Sequence, residues 1–261
     1  MRPSLTRGAR LGTPRIVTCV DPTPLVLASA SPRRSDLLRR AGIRFEVCPA
    51  NIPELGQPGE TPVAFAQRLA HSKALTVAER IGASPPRLVL GADTIVVLNG
   101  EVLGKPRDSD HALELLERLT GREHSVVTAV ALLASDTLRV RQIAVTSRVE
   151  MRAVGREELI TYVATGESLD KAGGYAVQGG ARSFVTRIHG SETNVIGLPL
   201  DETLDLLGEA VQHLGETGGR LDETVQPLGE TGGSLGEAAQ PVGETGGSLD
   251  ETGETGSGGS D

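Results

Sequence analysis

The chain has 261 residues, of which 38% are hydrophobic and only 2% aromatic, so any core must be mainly aliphatic. Its net charge of −8 comes from the C-terminal end, because positions 1–213 hold 25 of the 26 basic and 24 of the 34 acidic residues. A nearly neutral body lacks the basic face that broad nucleic-acid binding requires. No stretch approaches the ~20 apolar residues of a membrane span. We therefore expect a globular protein that binds neither nucleic acid nor membrane.

The two cysteines and the N-terminal residues indicate a cytoplasmic protein. Cys19 and Cys48 form neither a C-x-x-C motif nor a zinc-binding spacing, so we expect free thiols in a reducing compartment. Four arginines occur in the first 15 residues, but the apolar run that follows, 16–20, is shorter than the hydrophobic core of a signal peptide.

Hydrophobic patterns predict alternating strands and helices after a flexible leader, 1–24, that is rich in Pro, Gly and Arg. The predicted elements are, in chain order, a strand at 25–28, a helix from Pro32 to Gly42, a helix opened by Thr61-Pro62, a strand at 88–92 ending at Asp93, a hairpin at 95–103 turning at Asn99-Gly100, a helix at 108–119, strands at 125–134 and 139–151, a helix at 156–164, a strand at 184–188 and a helix at 198–212. This order predicts an α/β fold with a mixed sheet.

The C-terminal segment 214–261 continues a seven-residue repeat that begins in the last predicted helix. An apolar residue recurs every seventh position from Leu200 to Leu249, and a glutamate follows each one two positions later. One apolar residue per seven is half of a coiled-coil seam, and each glycine costs about 1 kcal/mol in a helix. We expect this acidic, Gly-rich tail to be disordered. It is either a repeat expansion without function or an acidic segment that recruits a partner.

The segment Ser29–Arg34 has the composition of an anion site. It follows a buried strand and opens a helix, where unpaired amide groups and the helix dipole attract negative charge. Its two serine hydroxyls and two guanidinium groups add donors suited to phosphate oxygens. The pattern alone also fits a capping serine followed by two solvated arginines.

Asp93 and Lys105 are further candidates. Asp93 follows an apolar strand in Gly-Ala-Asp-Thr, where α/β proteins bind ligands and where a carboxylate can hold a divalent cation or activate water. A capping aspartate is the alternative. The segment 100–106 resembles a Walker loop, but it is one residue short and has proline in place of the magnesium-binding hydroxyl. Lys105 can still reach a phosphate, although a solvated lysine is the simpler explanation.

The segment 169–180 is rich in glycine and alanine, which lets a backbone approach a ligand closely. Gln178 within it offers a donor and an acceptor that suit the edge of a base. The same segment also fits a plain turn. No histidine pair has zinc-binding spacing, and neither a G-x-S-x-G nor a Cys–His motif occurs, so covalent nucleophilic catalysis has no support.

Taken in order, these segments resemble the Maf family of nucleoside triphosphate pyrophosphatases. The resemblance covers Leu25 to Leu207, about 70% of the chain. Each motif is moderately specific, and the six in this order are highly specific. They are Leu27-Ala-Ser-Ala-Ser-Pro-Arg-Arg34, Glu54, Arg68-Leu-Ala-His-Ser-Lys73, Gly91-Ala-Asp-Thr94, Gly104-Lys-Pro106 and Asp170-Lys-Ala-Gly173.

The resemblance implies a Maf/ITPase-like α/β fold, in which helices flank a mixed twisted sheet and two lobes enclose a central cleft. The domain would span 25–213, between the leader and the tail. The resemblance also implies cleavage between the α- and β-phosphates with a divalent cation, Mg²⁺ or Mn²⁺, and it often implies a homodimer.

Site roles follow from the same resemblance, position by position. The catalytic set would be Asp93, Glu54, Lys73 and Lys105. Asp93 would accept the proton of the attacking water, and Glu54 and Asp93 would hold the metal. The substrate-binding set would be Ser29, Arg33, Arg34, Thr94, Lys171 and Gln178.

Arg33, Thr94, Gln178 and the segment 169–179 resemble the branch that acts on dTTP and UTP. Gly174 departs from that branch, in which alanine is usual, and the change removes only a methyl group. We expect a house-cleaning enzyme that hydrolyses dTTP, UTP and modified pyrimidine nucleotides. The alternatives are a pyrophosphatase for 7-methyl-GTP or another purine nucleotide, and a non-enzymatic nucleotide-binding regulator of septum formation.

Overall fold

The computed structural model describes residues 25–216. The predicted leader 1–24 and the predicted tail from residue 217 onward lie outside the described residues. The strands are β1 Leu25–Leu27, β2 Phe45–Val47, β3 Leu88–Leu98, β4 Glu101–Leu103, β5 Glu123–Ala134, β6 Val140–Met151 and β7 Val185–His189. The helices are α1 Pro32–Arg40, α2 Pro62–Ile81, α3 Ser109–Leu119, α4 Arg156–Ala164, α5 Glu192–Ile196 and α6 Leu200–Glu216, with 3₁₀ turns at Ala172–Gly174 and Gly180–Phe184.

These strands form one mixed sheet in the order β2-β1-β3-β5-β6-β7, with β4 paired to β3 beside this path. β1 is parallel to β2 and β3, whereas β5 and the strands after it run antiparallel to their neighbours. Parallel neighbours require a crossover, and α1 provides it between β1 and β2. The predicted α/β fold with a mixed sheet flanked by helices is confirmed.

Helices bury both faces of the sheet. On one face, α2 contributes small residues, among them Ala66, Ala70 and Ala74, to a core with Val89 of β3. On the other face, leucines of α1, α3 and α4 form the larger core together with two tyrosines. Small residues on α2 let its axis approach the sheet more closely than larger side chains would. No helix within residues 25–216 is both long enough and apolar enough to cross a membrane.

β3 differs from its prediction in a way that matters for the site. The predicted strand 88–92 ends at Asp93, but the observed strand runs without a break from Leu88 to Leu98. β5 pairs with it along nearly this whole length, so the polar pair Asp93-Thr94 does not end the strand. The expectation that Asp93 lies at a strand end was therefore wrong, and Asp93 lies in the middle of a strand.

Two short elements, β2 and α5, have no counterpart in the prediction. β2 has three residues at the sheet edge, of which Glu46 and Val47 are exposed, so it lacks a buried periodic pattern. α5 has five residues and is capped by Ser191, whose hydroxyl accepts from the Asn194 amide. Elements this short carry too little periodicity to be recognised. α6 starts two residues later than predicted and continues through 214–216 of the predicted tail.

The close approach of α2 to β3 depends on Gly91. A Cβ atom at this position would lie 2.2 Å from the carbonyl oxygen of Ala70 and 2.8 Å from the backbone nitrogen of Ala74. Both obstacles are backbone atoms, so the helix as a whole would have to move.

We expect Gly91→Ala to lower the free energy of unfolding by about 3 kcal/mol, because overpacking against backbone cannot be relieved by a rotamer change. The matched control is Gly208→Ala in α6, where no atom of another part of the described chain lies within 4 Å of the added Cβ. This change should stabilise the protein by roughly 0.5–1 kcal/mol through helix propensity. Urea unfolding followed by circular dichroism measures both. Equal effects of the two substitutions would contradict the close approach at Gly91.

Candidate active site

A cleft of about 1300 Å³ opens where β3 has a neighbouring strand on only one side. β1 pairs with β3 at Val89 and Leu90, and β4 pairs with it from Val96 onward, both on the side away from β5. Residues 91–95 lie between these two pairings and, within residues 25–216, have a strand partner only in β5. The sheet is thus open at this point, and the cleft occupies the opening.

All ten residues predicted for the site line this cleft. They come from the turn before α1, α1 itself, the loop before α2, α2, β3, the β4–α3 loop and the segment after α4. They are Ser29, Arg33, Arg34, Glu54, Lys73, Asp93, Thr94, Lys105, Lys171 and Gln178. Successive side chains of a strand point to opposite faces, so Asp93 and Thr94 contribute to different walls of the cleft.

Arg34 is buried and makes most of its hydrogen bonds within the protein. Its Nε donates to the Gly197 carbonyl at 2.8 Å, Nη1 to Ser29 Oγ at 2.9 Å and Nη2 to Thr94 Oγ1 at 3.0 Å. Burial lowers the pKa of Arg34, and the charge of Asp93 offsets part of this effect. Three of the five guanidinium N–H groups are therefore used, two of them to hold Ser29 and Thr94, and two have no acceptor among the described residues.

Thr94 connects this wall to residues that the sequence analysis did not single out. Its Oγ1 lies 3.0 Å from Thr128 Oγ1, and the Thr128 hydroxyl donates to the carbonyl of Asn194 at 3.0 Å. The buried Asn194 amide donates in turn to the Val126 carbonyl and to Ser147 Oγ, both at 3.0 Å. These residues belong to none of the motifs, and single polar residues inside strands and short helices give no local signal.

Lys73 lies between two carboxylates. Its Nζ is 2.6 Å from Oε1 of Glu54 and 2.6 Å from Oδ1 of Asp93. Burial raises the pKa of Asp93, although Lys73 offsets part of that increase. Burial alone would also raise the pKa of Glu54, but hydrogen bonds and charges from Lys73 and Lys105 outweigh it and lower the pKa to about 2. Glu54 is therefore the stronger acid of the pair, and Asp93 takes up a proton more readily.

The loop that carries Glu54 is fixed to α2. Arg68 binds both carboxylate oxygens of Glu60, at 2.6 and 2.7 Å, and donates to the carbonyl of Leu55 at 2.9 Å. The Thr61 hydroxyl caps α2 by accepting from the Ala64 amide. Lys73 projects from the same helix about three turns after the cap. One helix thus sets the positions of both Glu54 and Lys73.

Three further cationic side chains line the cleft, of which Lys105 is the most exposed and Lys171 the least. Lys105 Nζ lies 3.0 Å from Oε2 of Glu54, and more than half of the Lys105 side chain is exposed. Arg33 is 3.8 Å from the carboxylate of Asp170, which also forms an ion pair with Lys171. Asp170 belongs to a quoted motif but had no predicted role, and it holds the Arg33 and Lys171 side chains near each other. Gln178 also lines the cleft and is exposed.

Two groups of side chains have the composition of a cation site. Glu54 and Asp93 face each other across Lys73, and the second oxygen of Asp93 accepts no hydrogen bond from the part of the chain that the structure describes. Outside the cleft, the ligand atoms of Glu123, Glu150 and His189 lie within 4.8 Å of one another. Carboxylates of both groups have partners: Arg148 approaches Glu123 to 3.5 Å and His189 approaches Glu150 to 2.7 Å, while Lys73 and Lys105 contact the two oxygens of Glu54.

Comparison with known proteins assigns the family. A family model described as Maf-like protein matches residues 24–210. The chain belongs to the Maf family. The resemblance stated from the six motifs is thereby confirmed.

Curated relatives match most of their own length. A protein of Citrifermentans bemidjiense named dTTP/UTP pyrophosphatase is 49% identical over 183 residues, which are 70% of this chain and 93% of that protein. A protein of the same name from Myxococcus xanthus is 49% identical over 192 residues, 73% of this chain and 94% of the relative. The solved structure of the Staphylococcus aureus Ham1 protein aligns with a TM-score of 0.38 and 14% identity over 75% of this chain and all of that one, a similarity too low to add to the assignment.

We expect Lys73→Met to lower the free energy of unfolding by about 3 kcal/mol at pH 7, since it leaves a buried carboxylate without its cation. The already raised pKa of Asp93 should rise further in this variant. A carboxyl group whose pKa is raised in the folded state costs stability above that pKa and none once it is protonated. The loss relative to the unchanged protein should therefore shrink as the pH falls.

Urea unfolding of both proteins at a series of pH values measures this difference. The matched control is Lys105→Met, which removes a mainly exposed lysine that also contacts Glu54 and should change stability by no more than about 0.5 kcal/mol. A loss for Lys73→Met that stays constant with pH would show that Asp93 is not the group left unpaired.

Proposed function

We propose that this Maf-family protein hydrolyses dTTP and UTP, together with modified pyrimidine nucleotides, to the nucleoside monophosphate and pyrophosphate. The observation that carries the proposal is the environment of Asp93, a buried carboxylate with a raised pKa in contact with Lys73. It lies in a cleft lined by five cationic side chains, as binding of a triphosphate requires. The relatives named dTTP/UTP pyrophosphatase support the choice of nucleotide.

In the proposed reaction, Asp93 acts as general base toward a water molecule. The water oxygen forms a bond to the α-phosphorus, the bond from the α-phosphorus to the bridging oxygen breaks, and pyrophosphate leaves. The proton of the water passes to the Asp93 carboxylate, and a raised pKa makes that carboxylate a better base than an ordinary aspartate. Glu54, which stays ionised, holds the Lys73 ammonium group in place from the other side.

The remaining cations have the task of binding and neutralising phosphate oxygens. Lys105, Arg33 and Lys171 supply side-chain donors, while Arg34 holds Ser29 in the turn before α1. Ser31 caps α1 without a side-chain hydrogen bond, and Pro32 has no N–H, so the amides of Arg33 and Arg34 are the donors at the start of the helix. Preset donors of this kind stabilise the negative charge that moves onto the leaving pyrophosphate.

A divalent cation, Mg²⁺ or Mn²⁺, fits the donor set of the cleft. Mg²⁺ is usually bound through one or two carboxylates, with water and substrate phosphates completing its coordination. Glu54 and Asp93 would supply those carboxylates, in agreement with the second oxygen of Asp93, which has no hydrogen-bond donor among residues 25–216. When bound, such an ion acts as a Lewis acid that neutralises phosphate charge.

Gln178 is the group that we assign to the base. Its amide presents one donor and one acceptor side, which matches the edge of uracil or thymine. We propose the cytoplasm as the location, since the substrates are free nucleotides. The homodimer and the lack of nucleic-acid binding stay predictions.

A nucleotide panel tests the substrate. We expect release of pyrophosphate from dTTP and UTP in the presence of Mg²⁺ or Mn²⁺, with at least tenfold lower kcat/KM, roughly one lost base contact, for the purine triphosphates and 7-methyl-GTP. Product analysis separates pyrophosphate from orthophosphate. Release of orthophosphate alone would overturn the reaction, selectivity for a purine would overturn the role of Gln178, and tight binding without turnover would favour a regulatory protein.

We expect Asp93→Asn to reduce kcat on the order of 10²–10⁴-fold, the range that loss of a general base produces. The amide has the same shape, and Lys73 keeps its bond to Glu54, so the variant should remain folded by circular dichroism. Asp136→Asn in the β5–β6 turn makes the same chemical change away from the cleft and should leave kcat unchanged. An active Asp93→Asn variant would show that another group activates the water.

A further inference from the structure

His124 and Tyr175 form a buried polar pair behind the cleft. His124 is the second residue of β5, and its Nε2 lies 2.7 Å from the Tyr175 hydroxyl. The two rings meet edge to face with centroids 5.4 Å apart. His124 is 3% exposed and Tyr175 is 6% exposed. Tyr175 lines the cleft, whereas His124 lies behind it.

Keeping a histidine at this position is costly. Its Nδ1 is buried and has no hydrogen-bond partner among the described residues, and an unsatisfied buried polar atom costs about 1–3 kcal/mol. Burial also lowers the pKa of His124 to about 4, so the ring is neutral at neutral pH and carries one donor and one acceptor nitrogen. An apolar residue would avoid both costs, so packing alone does not account for the histidine.

The pair joins an irregular segment to the sheet through a side-chain hydrogen bond. Residues 170–178, the recognition segment, contain a 3₁₀ turn and no strand. Three of its backbone amides donate to residues outside it, namely Gly173 to the Gly104 carbonyl at 3.0 Å, Ala176 to the Tyr162 hydroxyl at 3.1 Å and Lys171 to the Ser168 carbonyl at 3.3 Å. Asp170 adds the ion pair with Arg33. The bond between Tyr175 and His124 connects its side chains to the central sheet.

Tyr175 lies between two residues of this segment that are predicted to bind substrate. Lys171 precedes it by four residues and Gln178 follows it by three, and both line the cleft. A displacement of Tyr175 would therefore move a phosphate-binding cation and the base-reading amide together. Irregular segments keep a functional geometry only where packing and hydrogen bonds from outside fix it.

We propose that His124 is a positioning residue, which holds Tyr175 and through it the recognition segment, so that Lys171 and Gln178 meet the nucleotide. The effect on the substrate rests on the proposed function, whereas the link between His124 and the segment does not.

The test compares His124→Phe, which keeps a ring and removes the hydrogen bond, with His124→Gln, whose side-chain nitrogen can reach the position of Nε2. His124→Phe should raise KM for dTTP and UTP roughly fivefold, the size of one lost hydrogen bond, and change kcat less than about twofold. Backbone amides of 170–178 should exchange hydrogen faster. His124→Gln should restore both values toward those of the unchanged protein.

Tyr175→Phe removes the same bond from the other side. It should reproduce the effect of His124→Phe, and the double variant should add little, because one interaction can be lost only once. Tyr175→Phe also keeps the proposal testable if His124→Phe fails to fold. Equal exchange rates at 170–178 in Tyr175→Phe and the unchanged protein would overturn the proposal.

Thr203→Val is the matched control for a general loss of stability. Thr203 is fully buried on α6, its hydroxyl donates to the Pro199 carbonyl, and it does not line the cleft. It should lower stability without changing KM or exchange at 170–178, and the same pattern in His124→Phe would reduce His124 to a structural role. If the unchanged protein releases no pyrophosphate from any nucleotide, the proposed function fails, while the exchange rates still decide the link.

Discussion

The ammonium group of Lys73 joins the three parts of the chain on which the cleft depends. It binds Glu54 in the loop before α2 and Asp93 in the middle of β3. Such short bonds are possible only because α2 lies directly on β3, and that approach requires the absence of a side chain at Gly91, one pleat before Asp93. The alanines along α2 also allow the helix to pack closely against the sheet. The packing of small residues and the chemistry of the carboxylates are therefore parts of one arrangement: a bulkier interface would separate the lysine from its partners and leave Asp93 buried with an uncompensated charge.

The sequence predicted the layered α/β architecture because long apolar runs and amphipathic helices carry strong periodic signals. It did not predict that β3 continues through Asp93-Thr94, since two polar residues normally mark the end of a buried strand. Continuous pairing with β5 overrides that local preference. Whether a polar pair ends a strand depends on what its neighbours pair with, and those partners lie more than 30 residues away in the chain. The three-residue strand β2 was not predicted for a related reason. Its parallel pairing with β1 stabilises it, whereas its own hydrophobic pattern gives no strand signal.

The residues of the site could be predicted from the sequence more readily than the hydrogen bonds that hold them. Motif order identified ten residues that line one cleft, because charged and glycine-rich motifs can be recognised from residue types and spacing alone. The partners of those residues carry no such mark. The carbonyl that accepts from Arg34 belongs to Gly197, 163 positions later, and the histidine that contacts Tyr175 lies in β5, 51 positions earlier. A hydrogen bond across such distances follows from the fold, and residue types alone do not encode it.

The charge balance of the cleft indicates whether it can bind a triphosphate without a metal ion. Within residues 25–216 its lining has five cationic side chains, namely Arg33, Arg34, Lys73, Lys105 and Lys171, and four carboxylates, namely Glu54, Glu60, Asp93 and Asp170. Lys73 is shared by two of these carboxylates, and Asp170 engages two further cations. The surplus of positive charge is therefore much smaller than the negative charge of a triphosphate. A divalent cation held by Glu54 and Asp93 would supply the difference, and a triphosphate would in turn provide the oxygen ligands that these two carboxylates leave open. Because each would improve the site for the other, the affinities for metal and nucleotide are thermodynamically linked.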